Sequence, residues 1–141
     1  MLRLVLDTSI MVAALCTRCG AANAVLRLVA RRRLAVLATP PLFLEYEEVL
    51  KRPEHRLVHG LAVDAVDQFL AELAALIEPV ETRFQWRPQT KDPCDDMVIE
   101  AAINGRANAV VTYNVGDFMS AGERFGISIL RPGDLLRKVK Q

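Results

Sequence analysis

Nearly unbroken apolar runs alternate with helix-patterned segments along this chain, and that alternation limits its possible folds more than any other feature. Leu2 to Asp7, Ala35-Val36-Leu37-Ala38-Thr39, Ile77 to Val80, Ala107 to Thr112 and Ile127 to Leu130 read as five short strands. Between them, Ala21 to Leu34 has helical periodicity in Ala24, Val25, Leu28 and Val29. A helix is expected to start at Pro40 and Pro41, since proline is tolerated in a first turn, and Pro53 ends or kinks it. Val63 to Leu76, residues 93–104 and a segment from Pro132 complete the helices. Strands without polar alternation are buried on both faces, which calls for a parallel sheet covered by helices on either side. The expected fold is α/β, a three-layer α/β/α arrangement with a central parallel sheet of about five strands. No repeat, low-complexity stretch or linker interrupts residues 1–141, so one domain is expected.

With 52% apolar and 25% charged residues, a chain of this length buries roughly two-thirds of its unfolded surface and needs no disulfide or metal to fold. It has no run of roughly 20 apolar residues that would span a membrane. Its start lacks the basic, apolar and cleavage regions of a signal peptide, so a cytoplasmic location is expected. The net charge of +1 leaves a nucleic-acid partner open, because clustering matters more than the sum. Arg31-Arg32-Arg33, Lys51-Arg52 with Arg56, and Arg137-Lys138 with Lys140 read as solvated helix ends that together leave room for a basic rim. Cys16 and Cys19 have redox-pair spacing, but they follow a helix instead of opening one and no second pair completes a zinc site, so they read as coincidence. Cys94 reads as a small buried residue, and His55 and His59 as surface residues of a helical excursion.

Chemistry is concentrated in carboxylates where strands or helices meet loops. Buried charge is costly unless it is paired, and a divalent cation is the simplest partner for several carboxylates at once. Asp7 ends the first apolar run, at the carboxyl end of a strand where open parallel sheets bind ligands. Its structural alternative is a position just before a helix capped by Thr8 or Ser9. On the helix from Pro41, Leu42, Tyr46, Val49 and Leu50 mark the apolar centre; Glu48 falls opposite it, while Glu45 and Glu47 flank it and periodicity does not choose between them. Asp92 before Pro93 suits an N-cap, and Asp95 lies near the third helical position, where it helps cap. Asp96 shares a row with Ile99, Glu100 and Ile103 and is the one expected to point inward. Beyond the fourth strand, Asn114 suits an Asx turn and Asp117 a cap of a short helix running into Met119, or together an outer ligand pair.

Four segments in order carry a family resemblance. They are Leu6-Asp7-Thr8-Ser9; Leu44-Glu45-Tyr46 with Val49-Leu50-Lys51-Arg52-Pro53; Asp92-Pro93-Cys94-Asp95-Asp96 with Ala101-Ala102; and Val111-Thr112-Tyr113-Asn114 with Asp117-Phe118. Together they resemble the PIN-domain ribonucleases, in particular the VapC-like toxins of toxin–antitoxin pairs. The resemblance implies metal-binding carboxylates at Asp7, Glu45, Asp96 and Asp117, and so selects Glu45 over Glu47. It implies small hydroxyl residues at Ser9 and Thr112, with Asn114 and Asp92 in support. Where many relatives have aspartate this chain has Asn114, so the fourth acidic role shifts to Asp117.

The activity implied is endoribonuclease hydrolysis of single-stranded or looped RNA with Mg²⁺ or Mn²⁺, for which hard carboxylate oxygens are suited ligands. A small antitoxin and a second copy of the chain are the implied partners. Trp86, Tyr113 and Phe118 are the aromatics nominated for base stacking, with core packing preferred for Phe118. A haloacid-dehalogenase-like phosphatase would need a second aspartate where Ser9 stands, and a receiver domain would need an acidic pair and a lysine that have no counterpart. A non-catalytic module that binds RNA or protein through the same rim is the competing reading from another class.

Overall fold

The computed structural model describes residues 1–85, 90 and 92–139. Trp86 and Lys140, singled out above, lie outside the described residues. The strands are β1 (Arg3–Leu6), β2 (Ala35–Ala38), β3 (Ile77–Pro79), β4 (Ala109–Val111) and β5 (Ser128–Leu130). They form one parallel sheet in the order β3-β2-β1-β4-β5. Position in the sheet follows burial. Central β1, β2 and β4 contain the buried Leu4, Val5, Leu6, Val36, Leu37, Val110 and Val111, while β3 and β5 form the more exposed edges. Pro79, which donates no ladder hydrogen bond, sits on edge strand β3.

The helices are α1 (Thr8–Cys16), α2 (Ala21–Ala30), α3 (Pro40–Lys51), α4 (Pro53–His59), α5 (Val63–Leu76), α6 (Pro93–Gly105), α7 (Val115–Phe125) and α8 (Pro132–Val139). They cover the sheet in the expected three-layer α/β/α arrangement. Helix α6 packs across β2, β1 and β4, whereas α2 packs against α1 and α8. No single helix among the described residues is long and apolar enough to cross a membrane.

Caps explain several boundaries. Thr39 accepts the Leu42 N–H at 3.3 Å ahead of Pro40, and Asp92 accepts the Cys94 N–H at 2.9 Å ahead of Pro93. The second helix stops at Ala30, four residues short of the expectation, where Arg32 takes a left-handed backbone with φ 58°. Pro53 both ends α3 and starts α4, because the residue before proline is driven out of the helical region; Arg52 sits at φ −63°, ψ 139°.

One histidine expectation is corrected. His59 is buried: its Nδ1 accepts the Leu61 N–H at 3.0 Å, which leaves Nε2 to donate to the Leu50 carbonyl at 2.9 Å. The imidazole thus ties the end of α3 to the segment entering α5. Cys16 closes α1 and Cys19 is exposed, both as free thiols.

Candidate active site at the carboxyl ends of β1 and β4

From β1 the sheet grows in one direction through β2 and in the other through β4, so the connections diverge at the carboxyl ends of β1 and β4. Crevices at such switch points are where open parallel sheets bind ligands. Register brings Leu6 opposite Val111, and the Asp7 N–H donates to the Val111 carbonyl at 3.0 Å. Asp7 and Thr112, 105 residues apart, therefore emerge side by side.

The Asp7 carboxylate is buried and tightly oriented. It caps α1 itself, accepting the Thr8 N–H at 2.8 Å; the cap is neither Thr8 nor Ser9. Its other oxygen accepts the Ser9 hydroxyl at 2.8 Å and the Thr112 hydroxyl at 2.7 Å. Both hydroxyls are themselves fixed from the loop after β4. The Tyr113 N–H donates to Ser9 Oγ at 3.2 Å, and the Asn114 N–H donates to Thr112 Oγ1 at 2.9 Å. Behind Asp7, the buried Tyr46 hydroxyl donates to the Leu6 carbonyl. Burial, and then the nearby Asp7 charge, push the Tyr46 phenol well above its ordinary range, so it remains a donor.

Helix α3 brings Glu45 to the same region, and the structure gives a physical reason why Glu45 and Glu47 differ. Glu45 is buried, with Oε1 3.2 Å from the Cys94 thiol that donates to it and 3.6 Å from Arg52 Nη2. Glu47 instead pairs with Lys51 at 2.9 Å, and Lys51 also reaches Asp67 on α5. Cys94 is half-buried, a correction to its reading as simply buried, and burial followed by the Glu45 contact pushes its thiol up to about 12.

The α6 N-terminus supplies three aspartates with different surroundings. Asp92 caps the helix and is exposed. Asp96 is buried, and its Oδ1 accepts the Thr90 N–H at 2.9 Å and the Thr90 hydroxyl at 3.0 Å. Asp95, read from sequence as a capping residue, is pushed up to about 7, first by desolvation and then by Asp7, Asp92, Asp117 and Asp96. The sequence reading sets Asp95 near the cap and Asp96 inward, and Asp96 is the buried one of the two while Asp95 is half-buried.

Asp117 occupies the third position of α7, which is longer than the short helix expected there. Asn114 is the N-cap residue of α7, but its side chain makes no cap hydrogen bond; the turn is held instead by the Thr112 hydroxyl. Phe118 is fully buried, and Tyr113 is 37% exposed beside the site.

A family model described as PIN domain matches residues 3–116, most of the chain and every strand of the sheet except β5. The chain belongs to the PIN domain family. PIN domains are in general nucleases. No curated protein sequence matches this PIN domain. Among solved structures, its fold is similar to that of a chain in the crystal structure of VapBC2 from Rickettsia felis bound to a DNA fragment from their promoter. The TM-score is 0.57 at 17% identity, over 92% of this chain and 98% of that one.

Among the described residues of this PIN domain, no three carboxylate, thiol or imidazole groups converge as a ready ion cage. The contacts above account for this: Glu45 turns to Arg52 and Cys94, Asp96 to Thr90, and Asp7 to its two hydroxyls. The donor set nonetheless suits a hard divalent cation, being carboxylate oxygens, among which desolvation and then the neighbouring charges raise Asp95.

Proposed function

We propose that this PIN domain is a metal-dependent endoribonuclease and the toxin of a toxin–antitoxin pair. The observation that carries the reading is the set of buried carboxylates at the switch point, with Asp7 oriented by Ser9 and Thr112 at the ends of β1 and β4 and Asp96 and Glu45 buried on α6 and α3. Asp95 beside them is raised to about 7, first by desolvation and then by Asp7, Asp92, Asp117 and Asp96. Carboxylates gathered in one partly desolvated region are destabilising without a cation, and functional sites are where such arrangements recur. Asp7, Asp96 and Asp117, with Asp95 added and Glu45 completing the shell, would hold Mg²⁺ or Mn²⁺. When bound, such ions lower the pKa of a water and offset charge on the leaving oxygen of a phosphodiester.

The chain's own contribution is orientation. Ser9 and Thr112 hold Asp7 from one side while their oxygens take backbone N–H groups from Tyr113 and Asn114. Asp92 fixes the first turn of α6, and with it the direction of Asp95 and Asp96. Tyr113, partly exposed at this rim, is available for base stacking, whereas Phe118 belongs to the core.

The likeness of fold to the Rickettsia felis VapBC2 chain supports a small antitoxin as partner. A repressor that brings Arg or Lys to a carboxylate cluster would be matched in charge. A single domain over residues 1–141, a homodimer and a cytoplasmic location complete the proposal.

The decisive experiment is cleavage of a mixed RNA substrate by wild-type protein and by Asp7→Asn, Asp95→Asn and Asp96→Asn, each in EDTA, Mg²⁺ or Mn²⁺. The expected outcome is metal-dependent cleavage lost in Asp7→Asn and Asp96→Asn and strongly reduced in Asp95→Asn. Cleavage by folded Asp7→Asn at the wild-type rate would overturn the assignment. Asn114 favours a second reading, a module that binds RNA or a protein without cutting, because it places a neutral amide where a carboxylate would add a metal ligand. RNA binding without cleavage in either metal would select it.

A further inference from the structure

Arg52 is placed unusually for a cation beside a carboxylate site. It occupies the break between α3 and α4, where Pro53 fixes its backbone in an extended conformation and its N–H donates to the Val49 carbonyl at 3.3 Å. From there its Nη2 lies 3.3 Å from Glu48 Oε1 and 3.6 Å from Glu45 Oε1. The two partners differ sharply. The Glu48 side chain is 66% exposed and that of Glu45 is 8% exposed. An exposed pair one helical turn apart is weakly held, whereas a buried carboxylate needs its partners. The other partner of Glu45 is the Cys94 thiol, which donates to the same Oε1. Among the described residues, the ion pairs of Arg52 run through Nη2, and its side chain is 40% exposed.

We propose that Arg52 has two positions in this site: counter-ion of Glu45 while no divalent cation is bound, and contact for an RNA backbone phosphate once one is. The proposal rests on the ribonuclease reading above. A cation that takes Glu45 weakens the hold of Arg52 on it, because two positive charges would then crowd one buried carboxylate. Glu48, on the exposed side of the same helix, then keeps the guanidinium at the rim, where its planar donor array suits a phosphate. Arg52 and a divalent cation thus compete for Glu45, and Arg52 and the cation cooperate on RNA.

The test separates these effects by titrating Mn²⁺ calorimetrically into protein without RNA, then measuring single-stranded RNA cleavage at saturating Mn²⁺. Wild type, Arg52→Gln, Arg52→Lys, Glu45→Gln and the Arg52→Gln/Glu45→Gln double variant are compared, with Asp7→Asn as a control. Arg52→Gln is expected to bind Mn²⁺ about twofold to fivefold more tightly, the scale of one partly exposed ion pair. Its KM for RNA should rise about tenfold with a smaller change in kcat, and Arg52→Lys should fall between. In the Glu45→Gln background, Arg52→Gln should leave Mn²⁺ affinity unchanged. Unchanged or weaker Mn²⁺ binding by Arg52→Gln, or an unchanged KM, overturns the role of Arg52 while wild-type binding that is lost in Asp7→Asn keeps the metal site. No Mn²⁺ binding by wild type overturns both.

Discussion

At the scale of single residues, the site depends on two hydroxyls and one aspartate under repulsion. Thr112 is fully buried and both donates to Asp7 and accepts from Asn114. Thr112→Val should cost about 1–3 kcal/mol in urea unfolding, because it takes a hydroxyl from the buried Asp7 carboxylate and leaves the Asn114 N–H without its acceptor. Ser9→Ala, at a half-buried position, should cost less. Asp95 behaves in the opposite sense. Its folded pKa is raised to about 7 from 3.8, so between those values the folded state binds more protons than the unfolded chain. Its effect on stability is therefore neutral below about pH 4 and becomes increasingly unfavourable as pH rises to about 7, remaining so above. Asp95→Asn should flatten that slope and raise Tm at pH 8 by roughly 3 °C, a figure reduced for partial exposure, with little change at pH 4. Calorimetric melts from pH 4 to 8 decide it; a variant melting at or below wild type at pH 8 would remove Asp95 from the acidic group. Sequence identified Asp7 because a carboxylate ending an apolar strand is conspicuous. It set Asp96 inward through its row with Ile99, Glu100 and Ile103, which its burial bears out, but only the seating of α6 decides how strongly the Asp7 charge acts on Asp95.

At the scale of elements, close approach decides more than propensity. A Cβ on Gly122 of α7 would stand 2.8 Å from the Ile127 carbonyl oxygen and 2.7 Å from Ile129 Cγ1, and the backbone oxygen has little freedom to yield. Gly122→Ala should cost about 1–3 kcal/mol. The same change at Gly105 meets the side-chain ends of Leu37 and Val80 at 2.9 Å and should cost less, a ranking that paired thermal melts would check. Arg106, which ends α6 in a left-handed conformation at φ 54°, makes the reverse case. Arg106→Gly should stabilise by up to about 1 kcal/mol, and an unaltered or lower Tm would contradict it. Most elements were legible because apolar strands and proline-started helices announce themselves. Helix α1 was less so: Thr8-Ser9-Ile10-Met11-Val12-Ala13-Ala14-Leu15-Cys16 is apolar nearly all round and runs straight on from β1, leaving no period to read. The burial of His59 was hidden for a related reason, since α4 exposes Leu57 and Val58 while burying a polar ring.

At the scale of the whole molecule, binding should feed back on stability. Anything that binds the folded chain alone raises its Tm. Saturating Mn²⁺ should therefore stabilise wild type at pH 8 and have no effect on Asp7→Asn; equal shifts in both would place the ion elsewhere. Co-expression with the product of a neighbouring small gene and pull-down should yield a stable complex, and the absence of one would remove the antitoxin from the proposal. By itself the sequence determined the α/β class, the succession of strands and helices and the supply of carboxylates, because burial on both faces of a central strand leaves a continuous apolar run in the chain. Only the tertiary structure decided which carboxylates share one charge environment, which cation Glu45 meets and which backbone amides steady Asp7. Those depend on strand order and on how α3 and α6 are seated against the sheet, and a linear pattern of polarity does not encode either.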